Sequence, residues 1–411
     1  MIEFTRYQLD NGLTVILHPD QSTPLVTVNV LYKVGSKNEQ IDKTGFAHLF
    51  EHLMFGGSKN VPDYDTPIQI AGGDNNAFTN SDLTNFYNVM PAENLETALW
   101  LESDRMLQLD INQKSLSVQK KVVVEEFKET SINEPYGDLW HQLSDLAFTT
   151  HPYRWPTIGL VPAHIEDADL EDVTHFFNTY YKPNNAVLVI AGKYDEDKIK
   201  AQIEQWFGGI AKGEIGVKPI PVEPAQKHFR TRTLHRKVPS DALYLAFHMP
   251  DRKHKDFIAY DILSDILSGG RSARLYQNLL KGSELFSNVN AYITGTFDPG
   301  LFVIEARLLE NADLEKAKLL IWNELQILKE ERVHPEELQK VKNSLISSVA
   351  FSEVSVTHKA INLAHYEMLG DVNDINTQEK EIDRVTVEDL KRIANQTLVL
   401  ENCSEIIYLK T

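Results

Sequence analysis

Polar and apolar positions near the start of the chain alternate with the two-residue period of strands. "LTVILHP" (13–19) and "LVTVNVLYKVG" (25–35) are β-branched and half apolar, and the turn-rich "DQSTP" separates them. The period then lengthens. Residues 45–55 fit a helix, with Asp42 or Thr44 near its N-cap and Gly56-Gly57 ending it. "AFTNSDLTNFYNVM" returns to strand-like alternation, and "NLETALWLESDRML" has helical periodicity. A further helix runs through "SVQKKVVVEEFKETSI". "NAVLVIAGKYD" (185–195) is a short buried strand and "EDKIKAQIEQWF" a helix.

Residues 208–226 break this pattern, with four glycines, three prolines and no periodicity. Beyond them the order recurs: a strand ("ALYLAFHMP"), a helix ("FIAYDILSDILSGG"), strands ("NVNAYITGTF", "GLFVIEARLL"), then helices to the end. Two halves of similar length and element order predict an α+β fold built from a duplicated unit. The expected division is 1–212, a linker at 213–226, and 227–411. At 411 residues the chain exceeds one typical core, which agrees with two domains.

Composition narrows the partners. A net charge of -18 disfavours nucleic acid and anionic membranes and leaves basic peptides electrostatically welcome. The single cysteine, Cys403, excludes an internal disulfide and a Cys-rich metal cluster. Nothing near Met1 resembles a secretory leader and no run approaches a membrane span, so the expected location is cytoplasmic.

The candidate chemistry sits in "GFAHLFEHLMFGG" (45–57), where His48, Glu51 and His52 spell H-x-x-E-H. On a helix, a four-residue spacing stacks both imidazoles on one face, about 6 Å apart, close enough to grip one ion. Glu51 projects toward the same face, where a carboxylate can take a proton from a metal-bound water and deliver it to a leaving amine. Two neutral histidines and a carboxylate, with a fourth position for water, suit zinc. Chance supplies about 0.04 such matches in a chain of this composition. The plain alternative is a pair of hydrogen-bonded core histidines.

Several blocks together change the weighing. "GFAHLFEHLMFGGS", "AGGDNNAFTNSDLTNFYNVMP" (71–91), "HPYRWPTIG" (151–159) and "FNTYYKPNNAVLVIAGKYD" (177–195) resemble the M16 (pitrilysin, or insulinase) family of inverzincin metallopeptidases. The subgroup is that of half-length chains, which includes mitochondrial processing peptidase and its bacterial relatives. The resemblance is dense in the N-terminal half and thinner in the C-terminal half, chiefly "LSGGRSARLYQNLL". It implies two similar α/β-roll halves and a zinc endopeptidase acting on peptides or unfolded segments, with Glu51 as general base. It implies a third zinc ligand in "KKVVVEEFKE", where Glu125, Glu126 and Glu129 compete; it favours Glu126, with Glu129 the fallback. Seven residues before Glu126 the family usually has a second-shell glutamate; this chain has Gln119, which can hydrogen-bond but cannot carry charge. The strand around Asn76 and Ala77 is expected to pair with an extended peptide, Asn76 touching substrate.

One departure bears on mechanism. Active members of the family also use an arginine and a tyrosine seven residues apart, from the second half or a partner, to hold the substrate carbonyl and the oxyanion. The corresponding stretch, "NLLKGSELFSNVNAY", has Leu280 and Ser287 in their places, and neither Arg271 nor Arg274 is followed by a tyrosine at that spacing. A related subunit bearing the pair, in a heterodimer, is therefore expected; a homodimer is the alternative. A non-catalytic assembly subunit and a metal-binding regulatory module are the competing functions. His18, His248, His358 and His365 are read as structural or solvated; His151 and Arg154 fall in a family block.

Overall fold

The computed structural model describes residues 1–216 and 219–411. Positions 217 and 218, within the expected linker, lie outside the described residues. The chain forms two compact units, and each draws on both ends of the sequence. The first comprises Met1–Lys128, Trp155–Ile220 and Ala350–Thr377; the second comprises Glu129–Arg154, Pro221–Val349 and Gln378–Thr411. The expected halves therefore follow chain order, while the compact units exchange one short segment each way.

The first unit holds strands β1 (Thr5–Gln8), β2 (Thr14–Pro19), β3 (Leu25–Tyr32), β4 (Asp74–Thr79), β5 (Thr84–Pro91) and β6 (Ala186–Gly192). Their order is β1-β2-β6-β3-β5-β4; β2 and β6 run parallel and every other pair antiparallel. Helices α1 (Phe46–Phe55), α2 (Asp65–Ile70), α3 (Leu95–Leu107) and α4 (Gln113–Phe127) belong to the same unit. Val26, Val28 and Val30 of β3 join Phe46, Leu49, Phe50 and Leu53 of α1 in one apolar core. The intervening Thr27 and Asn29 are buried too, because helix Val356–Leu369 covers the other face. Thr27 Oγ1 lies 3.2 Å from Thr357 Oγ1, and Asn29 exchanges hydrogen bonds of 2.9 and 2.8 Å with Asn85. A polar residue on that face is tolerated because its partner is buried beside it.

The second unit holds helix α5 (Leu139–Ala147) and strands β7 (Arg230–Arg236), β8 (Ala242–Met249), β9 (Phe286–Ile293), β10 (Gly300–Leu308) and β11 (Cys403–Lys410). Its order, β7-β11-β8-β10-β9, repeats that of β2-β6-β3-β5-β4, with the first pair again parallel. The duplication is thus a property of the topology. The expectation of helices to the end is corrected at β11. That strand is buried on both faces over six residues, Cys403–Tyr408, and so lacks the alternation that marks a half-exposed strand. Arg230–Arg236 likewise escaped the periodicity reading; its arginines reach carbonyls and carboxylates of α5, Arg232 pairing with Asp145 at 2.9 Å. Among the described residues no helix is long and apolar enough to cross a membrane.

Candidate metal centre

Helix α1 is apolar on three sides and polar on one. Phe46, Ala47, Leu49, Phe50, Leu53 and Met54 are buried, whereas His48, Glu51, His52 and Phe55 are partly exposed. Its N-cap is Gly45, with φ of 89°, a left-handed conformation that glycine adopts without strain. This corrects the expected cap at Asp42 or Thr44. Gly45 has no capping side chain; Glu39 supplies one from six positions upstream. Glu39 Oε2 accepts the Gly45 N–H at 2.9 Å and Oε1 the Ala47 N–H at 2.8 Å. Burial pushes the Glu39 carboxyl up to about 8 against the pull of these donors. At the other end, the Phe55 ring meets Tyr64 and Phe86, with the Arg105 guanidinium 5.9 Å from its centre.

The third ligand candidate comes from α4, which Asn112 caps by accepting from the Lys114 and Ser115 amides. Leu116, Val123, Val124 and Phe127 anchor its buried face, and Glu126 faces the histidines. His48 Nε2 and His52 Nε2 are 3.3 Å apart; Glu126 Oε1 is 3.5 Å from the first and Oε2 3.3 Å from the second. A tetrahedral zinc with bonds of about 2.0–2.1 Å places its ligand atoms roughly 3.3–3.4 Å apart. The donor set therefore fits one face of such a site, with a position left open.

The electrostatics point the same way. Burial lowers the His48 pKa and keeps the imidazole neutral, and the hydrogen bond to His52 lowers that of Glu126 and keeps it ionised. Neutral imidazole and carboxylate are the ligating forms. Glu125 points away, 70% exposed and paired with Lys128 at 2.7 Å. Glu129 lies beyond α4, in the π-helical stretch Lys128–Asn133, and is not one of the three clustered groups. Glu51, one residue before His52 on α1, is half-buried.

Asn76 and Ala77 lie on β4, whose outer edge no strand of the sheet covers. The N–H groups of Asn75 and Ala77 instead donate to the side chains of the preceding residues: to Asp74 Oδ1 at 3.0 Å and to Asn76 Oδ1 at 2.8 Å. Those two amides thus face the open edge, while Asn76 itself pairs inward opposite Tyr87. Gln119 lies two helical turns before Glu126, its amide beside Gly56 at the end of α1. Among the described residues it forms no hydrogen bond to His48, His52 or Glu126.

In the second unit, Leu280 ends the segment Leu275–Leu280, and the Ser287 hydroxyl on β9 donates to the Arg307 carbonyl at 3.2 Å. Arg274 is held by Glu337 at 2.8 Å. His151 accepts the Tyr153 N–H at Nδ1 and sets Nε2 3.4 Å from Asp298, while Arg154 pairs with Asp145. His18 bonds the Glu3 carbonyl and His248 the Ala147 carbonyl. Sequence reasoning passed over Glu39 and Arg105. Thr44, one residue before the glycine, offered a cap in the sequence, so nothing local pointed to Glu39.

Two duplicated, largely antiparallel sheets packed with helices, one carrying an H-x-x-E-H helix opposite a glutamate, define the architecture of a half-length M16 chain. The chain belongs to that family. Residues 14–159 match the model described as Insulinase (Peptidase family M16), and residues 167–345 match Peptidase M16 inactive domain. It is 30% identical over 394 residues to zinc protease PqqE of Helicobacter pylori, covering 94% of this chain and 88% of that one. The crystal structure of a protease from Helicobacter pylori superposes with a TM-score of 0.94 at 28% identity, covering 100% of both chains. The periplasmic protease PqqL from Escherichia coli shares the fold with a TM-score of 0.82 at 17% identity, and this chain covers 48% of it.

Proposed function

We propose that this chain is a zinc-dependent endopeptidase acting on peptides or unfolded protein segments. The observation that carries the reading is the triangle of His48, His52 and Glu126. Zinc held by the first three would polarise the scissile carbonyl and acidify water. Glu51 takes the proton of the attacking water on a carboxylate oxygen and passes it to the departing amine. The outward amides of Asn75 and Ala77 receive an extended substrate as an added strand, displacing the Asp74 and Asn76 side chains. Main-chain pairing tolerates many sequences, and the charge of -18 favours basic ones.

With Leu280 and Ser287 where the family resemblance expects arginine and tyrosine, this chain's own second half offers no such clamp at those positions. A related subunit bearing that pair completes the site in a heterodimer. The deciding experiment incubates zinc-loaded chain with a mixture of unstructured peptides, using Glu51→Gln as the blank. Cleavage absent from the blank establishes the peptidase, and cleavage by the chain alone removes the need for a partner. Bound zinc with no cleavage, alone or with a related Arg- and Tyr-bearing subunit, would leave an assembly subunit as the function.

A further inference from the structure

We propose that Glu39 is a positioning residue of the metal centre, acting by fixing the first turn of α1 from outside the helix. The inference rests on the metal-centre reading above and deepens it. Helix α1 begins with unsatisfied N–H groups like any helix, yet its cap position is a glycine without a side chain. Glu39 bridges that gap with both carboxyl oxygens, one on the Gly45 amide and one on the Ala47 amide. Ala47 immediately precedes His48, so the bond on its amide sets the rotation at which the first histidine leaves the helix.

Glu39 cannot follow the helix if the helix shifts. It lies in the core of the first unit, 8% exposed, where the Trp155 indole closes the same loop by donating to the Ser36 carbonyl at 3.0 Å. Gly45 is likewise confined: a Cβ there would come 2.9 Å from the Ile158 carbonyl oxygen. Opposing this anchor, Phe55 is wedged at the C-terminal end between Tyr64 and Phe86. Between two fixed ends, His48 and His52 keep the 3.3 Å separation that zinc requires before any ion arrives. A side chain that touches neither metal nor substrate thereby sets the metal affinity.

The test uses the full chain and three variants. Glu39→Leu keeps bulk and removes both acceptors; Glu39→Gln keeps one acceptor. Asp313→Ala removes an ordinary helix cap in the second unit, where Asp313 accepts the Lys316 amide at 3.1 Å. Zinc affinity is read by chelator competition well below the melting temperature, with amide exchange at Ala47 followed in the metal-free chain. Glu39→Leu should weaken zinc binding about 10–100-fold, as loss of supporting contacts does elsewhere, and speed exchange at Ala47. Glu39→Gln should fall between it and the parent, and it decides the matter if Glu39→Leu does not fold. Asp313→Ala should lower the melting temperature and leave zinc affinity unchanged. Parent-like zinc affinity in a folded Glu39 variant would overturn the positioning role while leaving the zinc reading intact. A parent chain that binds zinc no better than His48→Ala would overturn both.

Discussion

His52 Nε2 and Glu126 Oε2 stand 3.3 Å apart although they come from different helices, α1 and α4. Each faces the other and the second histidine, His48, whose Nε2 lies 3.5 Å from Glu126 Oε1.

One zinc per chain should bind, and removing a ligand by His48→Ala or Glu126→Ala should weaken it by more than about 100-fold, beyond what loss of a supporting contact costs. Glu125→Ala and Glu129→Ala should leave it unchanged, since neither belongs to the cluster. Equilibrium dialysis decides; equal losses from Glu126→Ala and Glu129→Ala would undo the assignment.

Acidification should release the metal. The pKa values of His48 and Glu126 are both lowered, so both remain in the ligating form down to pH values below their ordinary 6.5 and 4.5. Zinc affinity should therefore hold through pH 7 and fall only as protons compete below about 6.5. A pH titration of affinity that declined already between pH 9 and 7 would contradict this electrostatic picture.

Substrate pairing at β4 can be tested on one atom. Ala77→Pro deletes an N–H that faces the open edge, a place where a strand accepts proline. It should raise KM about 10-fold or more, the equivalent of one well-placed hydrogen bond, with zinc affinity unchanged. Asn76→Ala should raise KM about 2- to 10-fold if the side chain, once displaced from the Ala77 amide, bonds the substrate. A fall in KM for Asn76→Ala would instead mean that its side chain only shields the edge.

Stability should depend on a buried ion pair between Arg105 and Glu102 of α3. Arg105 is 1% exposed, donates to Glu102 from Nε at 2.9 Å, and lies 4.3 and 4.5 Å from the centres of Phe86 and Tyr64. Glu102 also accepts from Tyr64 and Asn88. Arg105→Met leaves that carboxylate buried without its cation and should cost roughly 3–5 kcal/mol in denaturant unfolding. A loss under about 1 kcal/mol would show that Glu102 is satisfied by its neutral donors alone.

A partly buried pair ties helix Val356–Leu369 to the β2–β3 turn. Lys359 Nζ lies 2.7 Å from Asp20, and its hydrogen bond, with help from Ser22, holds the Asp20 carboxyl well below the carboxylate range. A depressed acid stabilises the fold above its unfolded value near 3.8 and loses that contribution as pH falls below it. Asp20→Asn should thus lower the melting temperature modestly at pH 7 and make no difference at the acid end of that window. An equal deficit at both pH values would assign the effect to packing.

Local chemistry made much of this protein legible. The H-x-x-E-H spacing places His48 and His52 on one helical face whatever surrounds it, because four residues are close to one turn. Alternation marked β2 and β3, and recurring order marked the duplication. Strands buried on both faces carry no alternation, so β11 was hidden, as was the exchange of helix Val356–Leu369 into the first unit.

What the sequence determined by itself is the pair of imidazoles four residues apart, the glutamate between them, and a leucine and a serine at 280 and 287, since these depend only on residue type and spacing. What tertiary structure alone decided is which glutamate joins them and what holds the helix still. Helical phase left Glu125, Glu126 and Glu129 equal; the packing of α4 against α1 turned Glu126 inward and Glu125 to solvent. Glu39 became the cap because the loop just upstream folds back onto the first turn of α1, a closure that no periodicity encodes.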